Sequence, residues 1–168
     1  MKGTIARLAV AMCVVGVAVC GIAAAQEQRA WIKFSSAADG FATEFPGAPT
    51  PRDQGAGGTR VRSWEFSDDQ GVYAVTITTK SPMTASDYLY VVMEAARRET
   101  REKVVARQWD PIKIAGRTAS MVTIQVNDTA PDTIVAFDGP SQRMFQLHAP
   151  GQPDSPNVVR FRNAFRLQ

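Results

Sequence analysis

Apolar and polar residues alternate at the start of the chain's most patterned stretch, WIKFSSAADGFATEFPGAP, residues 31–49. Trp31, Ile32 and Phe34 open it. Gly40 resets the backbone, and Phe41, Thr43 and Phe45 then alternate with Ala42 and Glu44, the period of a half-buried strand. Pro46, Gly47 and Pro49 end it, since proline cannot donate to a sheet ladder. This stretch is read as the first hairpin of a sheet on which the later elements pack. Three prolines and four glycines from Pro46 to Gly58 predict a mobile loop. Shortening Pro49 to Gly57 is then expected to leave the melting temperature almost unchanged.

Two strands follow, Arg60 to Phe66 and Val72 to Thr79, joined by Ser67-Asp68-Asp69-Gln70-Gly71. Trp64 and Phe66 share one face of the first; Tyr73, Val75 and Ile77 share one face of the second. The period switches over residues 84–104. Thr84 and Asp87 form a capping box with aspartate in the glutamate position, and Leu89, Val92, Met93 and Ala96 fall on one helical face. Glu94 with Arg98, Arg98 with Glu102, and Glu99 with Lys103 are spaced to pair along the solvated side. Trp109 to Ile114 is a weak strand that Pro111 assigns to an edge or a bulge. Gly116 turns the chain into a strand with Val122, Ile124 and Val126 on one side. Asn127-Asp128-Thr129 is a turn that also fits a glycosylation acceptor in a eukaryotic secretory host. Thr133 to Phe137 and Arg143 to His148 form the last hairpin. Pro150 to Pro156 leads into a closing helix capped by Ser155, with Val158, Phe161 and Phe165 at helical spacing.

The N-terminus bears on the compartment. Lys2 and Arg7 precede an uncharged run from Leu8 to Ala25 that ends in three alanines. That is the layout of a secretory signal peptide, residues 1–25, followed by a single domain over 26–168. The rival is a retained membrane anchor at the lower edge of spanning length. Lipidation of Cys20 is a further alternative, opposed by the bulky Val19 before it. Cys13 and Cys20 both lie in this segment, so the domain has no cysteine for a disulfide, a thiolate site or a nucleophile. Residues 1–25 hold two of the 19 basic residues and none of the 16 acidic ones, which leaves 17 against 16 beyond them. The near-neutral balance and the export signal both oppose a nucleic-acid partner.

The order is strands, one long helix, more strands and a closing helix. With Trp31 and Phe34, GFATEFPG at Gly40 to Gly47, Ile114 with Gly116-Arg117, RMFQL at Arg143 to Leu147 and FRNAFRL at Phe161 to Leu167, the chain resembles the small exported domains with a PsbP-like fold, named for an extrinsic subunit of photosystem II. The resemblance implies an α+β fold, an α/β/α sandwich with a central antiparallel sheet. It implies binding or assembly rather than catalysis, and it brings no catalytic motif to carry over.

Candidate chemistry is sparse. His148 is the only histidine. It shares a strand face with Met144 and Gln146, opposite Phe145 and Leu147, and is read as a surface or lightly covered imidazole. The acids near it in sequence, Asp138 and Asp154, have no metal-ligand spacing, and no serine sits in a nucleophile elbow. Gly55, Gly57 and Gly58 lack the lysine and helix start of a phosphate loop. No catalytic, cofactor-binding or metal-ligating residue is assigned, and no cofactor is expected. The expected function is a non-enzymatic, exported module of the cell envelope or extracellular space. It would bind a protein or other envelope component through the loops 46–58 and 150–156. The alternative is a small hydrolase-like enzyme using His148 with nearby acids.

Overall fold

A computed structural model describes residues 30–56, 58–99 and 103–168. The segment 1–25, both cysteines and the pairs Arg98–Glu102 and Glu99–Lys103 lie outside the described residues or depend on them.

The first hairpin forms as expected. β1 (Ile32–Ser36) pairs antiparallel with β2 (Phe41–Phe45). The Ser36 carbonyl accepts from the amides of Asp39 and Gly40, and Gly40 takes a left-handed φ of 74° that favours glycine there. Phe41, Thr43 and Phe45 are buried and the residues between them are not, as the alternation requires. The hairpin does not join the main sheet, however. It forms a separate three-stranded sheet, whose third strand is the short β10 (Arg166–Leu167) at the far end of the chain.

The main sheet has seven antiparallel strands in the order β3-β4-β5-β9-β8-β7-β6. These are β3 (Thr50–Ala56), β4 (Thr59–Asp68), β5 (Gly71–Thr79), β6 (Val104–Ile114), β7 (Arg117–Val126), β8 (Asp132–Asp138) and β9 (Arg143–Pro150). β3 corrects the expected loop over 46–58: seven of those residues are an edge strand, registered from Thr50↔Glu65 to Ala56↔Thr59. Pro51 is tolerated because an edge strand has one side with no ladder to serve. Cross-strand charge then recruits the segment, with Arg52 Nε 2.8 Å from Glu65 and Asp53 held by Arg62. Gly47 is demanded by packing, since a Cβ there would sit 2.2 Å from the Phe66 ring.

Elsewhere the elements follow the pattern with shifted ends. Asp68 Oδ1 accepts from the amides of Gln70 and Gly71, and this turn carries β4 two residues beyond the expected Phe66. α1 (Ala85–Glu99) opens on the expected capping box. Thr84 Oγ1 donates to Asp87 Oδ2 at 2.8 Å and accepts from the Asp87 amide at 3.2 Å. The helix is described as far as Glu99, and β-branched Val104 and Val105 already belong to β6, at the end of the stretch expected to be helical. β6 is the other edge, and its register shifts between Trp109 and Ile112, around Pro111. α2 (Pro156–Ala164) is one residue shorter than expected: Phe165 is already extended, yet remains fully buried. Ser155 stands at the N-cap position, but its hydroxyl donates back to the Gln152 carbonyl and caps nothing.

The large sheet is covered on both faces. Against one lie the small sheet and α2, around an aromatic core of Phe41, Phe45, Tyr73, Phe137, Phe145, Phe161 and Phe165. Against the other lies α1, whose Ala85, Leu89 and Met93 pack on Val122, Ala136 and Met144. Strands under both layers are therefore buried on both faces, which is why Met121, Val122 and Thr123 are consecutive buried residues. α1 lies over β6, β7 and β8. Among the described residues, no helix packs over the β3–β5 half of that face, although Ala74 and Thr78 of β5 are buried on it.

Candidate functional site

β9 sets His148 between Ala74 of β5 and Ile134 of β8, on the α1 side of the sheet with Met144 and Gln146. The expected face is correct, and the imidazole is half-buried, with 34 % of its side chain exposed. Its Nε2 is shielded from solvent and lies 3.3 Å from Asp132 Oδ1, without the alignment of a hydrogen bond. Asp132 was absent from the sequence reading, because it lies 16 residues away on a neighbouring strand. The two acids that were named do not arrive. Asp138 is at the opposite end of β8, where its Oδ1 accepts from the Ala85 amide and fixes the start of α1. Asp154 is exposed in the link between β9 and α2.

The hydroxyls of Ser63 and Thr76 on the same face are 2.9 Å apart and bonded to each other. Among the described residues, no three His, Cys, Asp or Glu side chains converge on a possible cation site. Burial pushes the phenol of Tyr88, on α1, above the ordinary value, against an opposing pull from Gln146.

The two segments expected to be recognition loops are held down. Besides β3, the lead-in 150–156 is stapled: the Gly151 amide donates to the Pro131 carbonyl at 2.6 Å, and the Gly151 carbonyl accepts from Thr133 Oγ1 at 2.6 Å. Gly151 has φ 114°, and a Cβ there would lie 2.7 Å from Ser155 Oγ. Pro153 within it is buried. Composition suggested looseness, but the backbone bonds of this segment are made locally and across to β8.

Three surfaces remain. The first is the β3–β5 half of the α1 face, beside the helix. Arg52, Ser63, Thr76 and Gln146 stand on it in one transverse row across β3, β4, β5 and β9. The second is a groove of about 220 Å³ beside α1, lined by Asp87, Tyr90, Met93, Gln108 and Ser120. The third is on the opposite face, where the β1–β2 turn overhangs the end of the sheet. There a cleft of about 180 Å³ is lined by Ala38, Asp39, Arg60, Arg62, Ile77, Thr79 and Arg143. Asp39 is 8 % exposed. Its Oδ2 accepts from Ser36 Oγ at 2.6 Å and Trp64 Nε1 at 2.8 Å, and its backbone carbonyl accepts from Arg143 Nη1 at 3.0 Å. Arg62 grips Asp53 with a two-pronged fork, both contacts 2.7 Å. The hydrogen bond from Arg62 holds the Asp53 carboxyl below the usual carboxylate range, and the same bond raises the Arg62 guanidinium. Part of this cleft was legible: Arg60 and Arg62, two apart in a strand, must share a face. Arg143 and Asp39 are too far apart in sequence to be read together.

No family profile matches the chain, and no curated protein matches it in sequence. The solution structure of cyanobacterial PsbP (CyanoP) from Synechocystis sp. PCC 6803 superposes on it with a TM-score of 0.54, covering 83 % of this chain and 94 % of that one at 14 % identity. This chain has a PsbP-like fold. At that identity the likeness establishes the PsbP-like architecture, α+β with antiparallel sheets between helical layers, and leaves function to the chain's own residues. The PsbP-like fold expected from the aromatic start, the GFATEFPG segment and the closing FRNAFRL is the one observed. Among the described residues, no helix is long and apolar enough to cross a membrane.

Proposed function

We propose that this chain is an exported, non-enzymatic binding or assembly module of the cell envelope or extracellular space, with residues 1–25 as its signal peptide. The observation that carries the binding reading is the β3–β5 half of the α1 face, over which no described helix packs. Its short polar side chains, Ser63 and Thr76 with Gln146 beside them, stand on a backbone fixed by ladders on both sides. A flat, rigid, polar platform of this kind recognises a partner without deep burial, and ordering costs little because the strands are already in place. The PsbP-like fold supports the same reading. This moves the expected contact from the loops 46–58 and 150–156 onto the sheet face between them.

The test is affinity capture from the native envelope fraction with the wild-type domain and with Thr76→Lys, which raises a long cation from the platform. Loss of a specific captured component in the variant is expected. Identical capture by both would remove this face from consideration. The hydrolase alternative rests on the His148–Asp132 approach alone. It would replace the binding reading if His148→Ala abolished a turnover measurable in the wild type. Export is tested separately by the intact mass of the exported protein, which should begin at or within a residue or two of Gln26.

A further inference from the structure

The cleft under the β1–β2 turn holds more positive charge than its own acids neutralise. Arg60, Thr79 and Arg143 form one straight row across β4, β5 and β9, and Arg62 and Ile77 form part of the next row on the same face. Two guanidinium-bearing strands thus flank a threonine, with their Cα atoms about 10 Å apart by strand spacing. Three arginines line the space against two aspartates, Asp39 and Asp53.

Those aspartates are largely committed. Both Asp53 oxygens are taken by the Arg62 fork, so Arg60 reaches only Oδ1, at a long 3.4 Å. Asp39 Oδ2 is filled by Ser36 and Trp64, and its Oδ1 stands 3.7 Å from Arg62 Nη1, beyond a hydrogen bond. Arg143 gives Nη1 to a backbone carbonyl, a neutral partner. Arg60 and Arg143 therefore face one cleft with fork donors to spare, and in their row across the sheet Thr79, not a carboxylate, stands between them. Like charges placed so repel each other unless an anion is shared between them. Arg143 is held in place by the turn and Arg62 by Asp53, so the donors are ordered before any ligand arrives.

The geometry points to a binding site for a small tetrahedral oxyanion, a phosphate group, held between Arg60 and Arg143 with the Thr79 hydroxyl and Arg62 beside it. A space of about 180 Å³ accommodates that group with a short remainder. Guanidinium forks match phosphate oxygens two at a time, and a tetrahedral group has enough oxygens to serve both arginines and the Thr79 hydroxyl at once, where a carboxylate has only two. The site lies on the opposite face from the β3–β5 platform, so it stands or falls independently of the proposed binding surface.

The test is a titration of the protein with inorganic phosphate at constant ionic strength, followed through the arginine Nε–H resonances. Saturable shifts of Arg60, Arg62 and Arg143 are expected, with a dissociation constant on the order of 1 mM or tighter. Arg60→Gln, at an exposed position, should keep the fold and weaken binding roughly tenfold, the value of a charge-assisted contact. Arg107→Gln, whose guanidinium lies 3.9 Å over the Trp109 ring on β6, should leave binding unchanged. Acetate in place of phosphate should bind more weakly, and a phosphomonoester at least as well as the free ion. Non-saturating shifts would overturn the site, as would equal weakening by the Arg60 and Arg107 variants, which would mark unspecific attraction. Binding of acetate as tight as phosphate would overturn the assignment of ligand class.

Discussion

Trp64 Nε1 donates to Asp39 Oδ2 at 2.8 Å and so fastens the turn of the small sheet to the second strand of the large one. The bond spans 25 residues and two sheets. The carboxylate that receives it is nearly buried and also serves Ser36. Asp39→Ala would strand an indole N–H and a hydroxyl and leave Arg62 without its counterpart in the turn, while Arg143 keeps the backbone carbonyl. The expected loss is about 2–3 kcal/mol, because unmade bonds of partly buried donors cost more than made ones return. Urea denaturation of Asp39→Ala, Trp64→Phe and the double variant checks it. A coupling near zero between the two substitutions would show that the bond carries no stability.

Phe161 joins three parts of the aromatic core, with Phe45 at 5.2 Å and Tyr73 at 5.6 Å between ring centroids. It is 1 % exposed. Replacement by alanine removes the transfer energy of the ring and leaves a cavity bounded by two sheets and a helix. The expected cost is roughly 3–5 kcal/mol. Denaturant midpoints report it, and a loss below about 1 kcal/mol would mean that α2 does not dock on the core.

Acid should loosen the β3–β4 edge before the rest of the sheet. The Arg62 hydrogen bond depresses the Asp53 carboxyl below 3.8 in the folded chain. A depressed carboxyl contributes its stabilisation above the unfolded value and loses it as pH falls through the folded one. The window therefore lies below about pH 4, and neutral pH leaves the edge intact. Amide exchange of Arg52 and Gln54, compared at about pH 5 and pH 2.5 after correction for intrinsic rates, should show the loss. Asp53→Asn should show the loosened edge at both values.

Deleting Pro49 to Gly57 should lower the melting temperature by several degrees. The deletion removes an edge strand and strips Glu65 and Arg62 of Arg52 and Asp53. The described β3 side chains are exposed, so the loss is one of pairing and charge rather than of core, and the domain should still fold. A thermal melt equal to the wild type would return the segment to the status of a plain connection.

Local chemistry was legible and lateral choice was not. Period-two alternation located β2, and the Thr84–Asp87 box located the start of α1, because each is decided within a few residues. Proline and glycine counts misled at β3. They report what the backbone cannot donate, whereas an edge strand is recruited by what its neighbour offers, here Glu65 and Arg62. The division into two sheets had no local sign, since β10 returns from residue 166 to complete a sheet begun at residue 32. The same distance hid Asp132 from His148, and Arg143 from Asp39.

The strand order also governs when the fold can close. β5 has β4 on one side and β9 on the other, with Ile77 opposite Phe145, so the centre of the large sheet joins residues 68 apart. β1 to β5 can pair among themselves early, and β6 to β8 can do so later, but neither half acquires its neighbour until β9 is present. A chain synthesised from its N-terminus thus carries an open β5 edge through most of its elongation. Non-local closure of this kind is slow. β9 then converts two incomplete ribbons into one sheet. A domain so arranged stays threadable until it is nearly finished, and truncation within β9 should leave two unjoined half-sheets rather than a smaller version of the same protein.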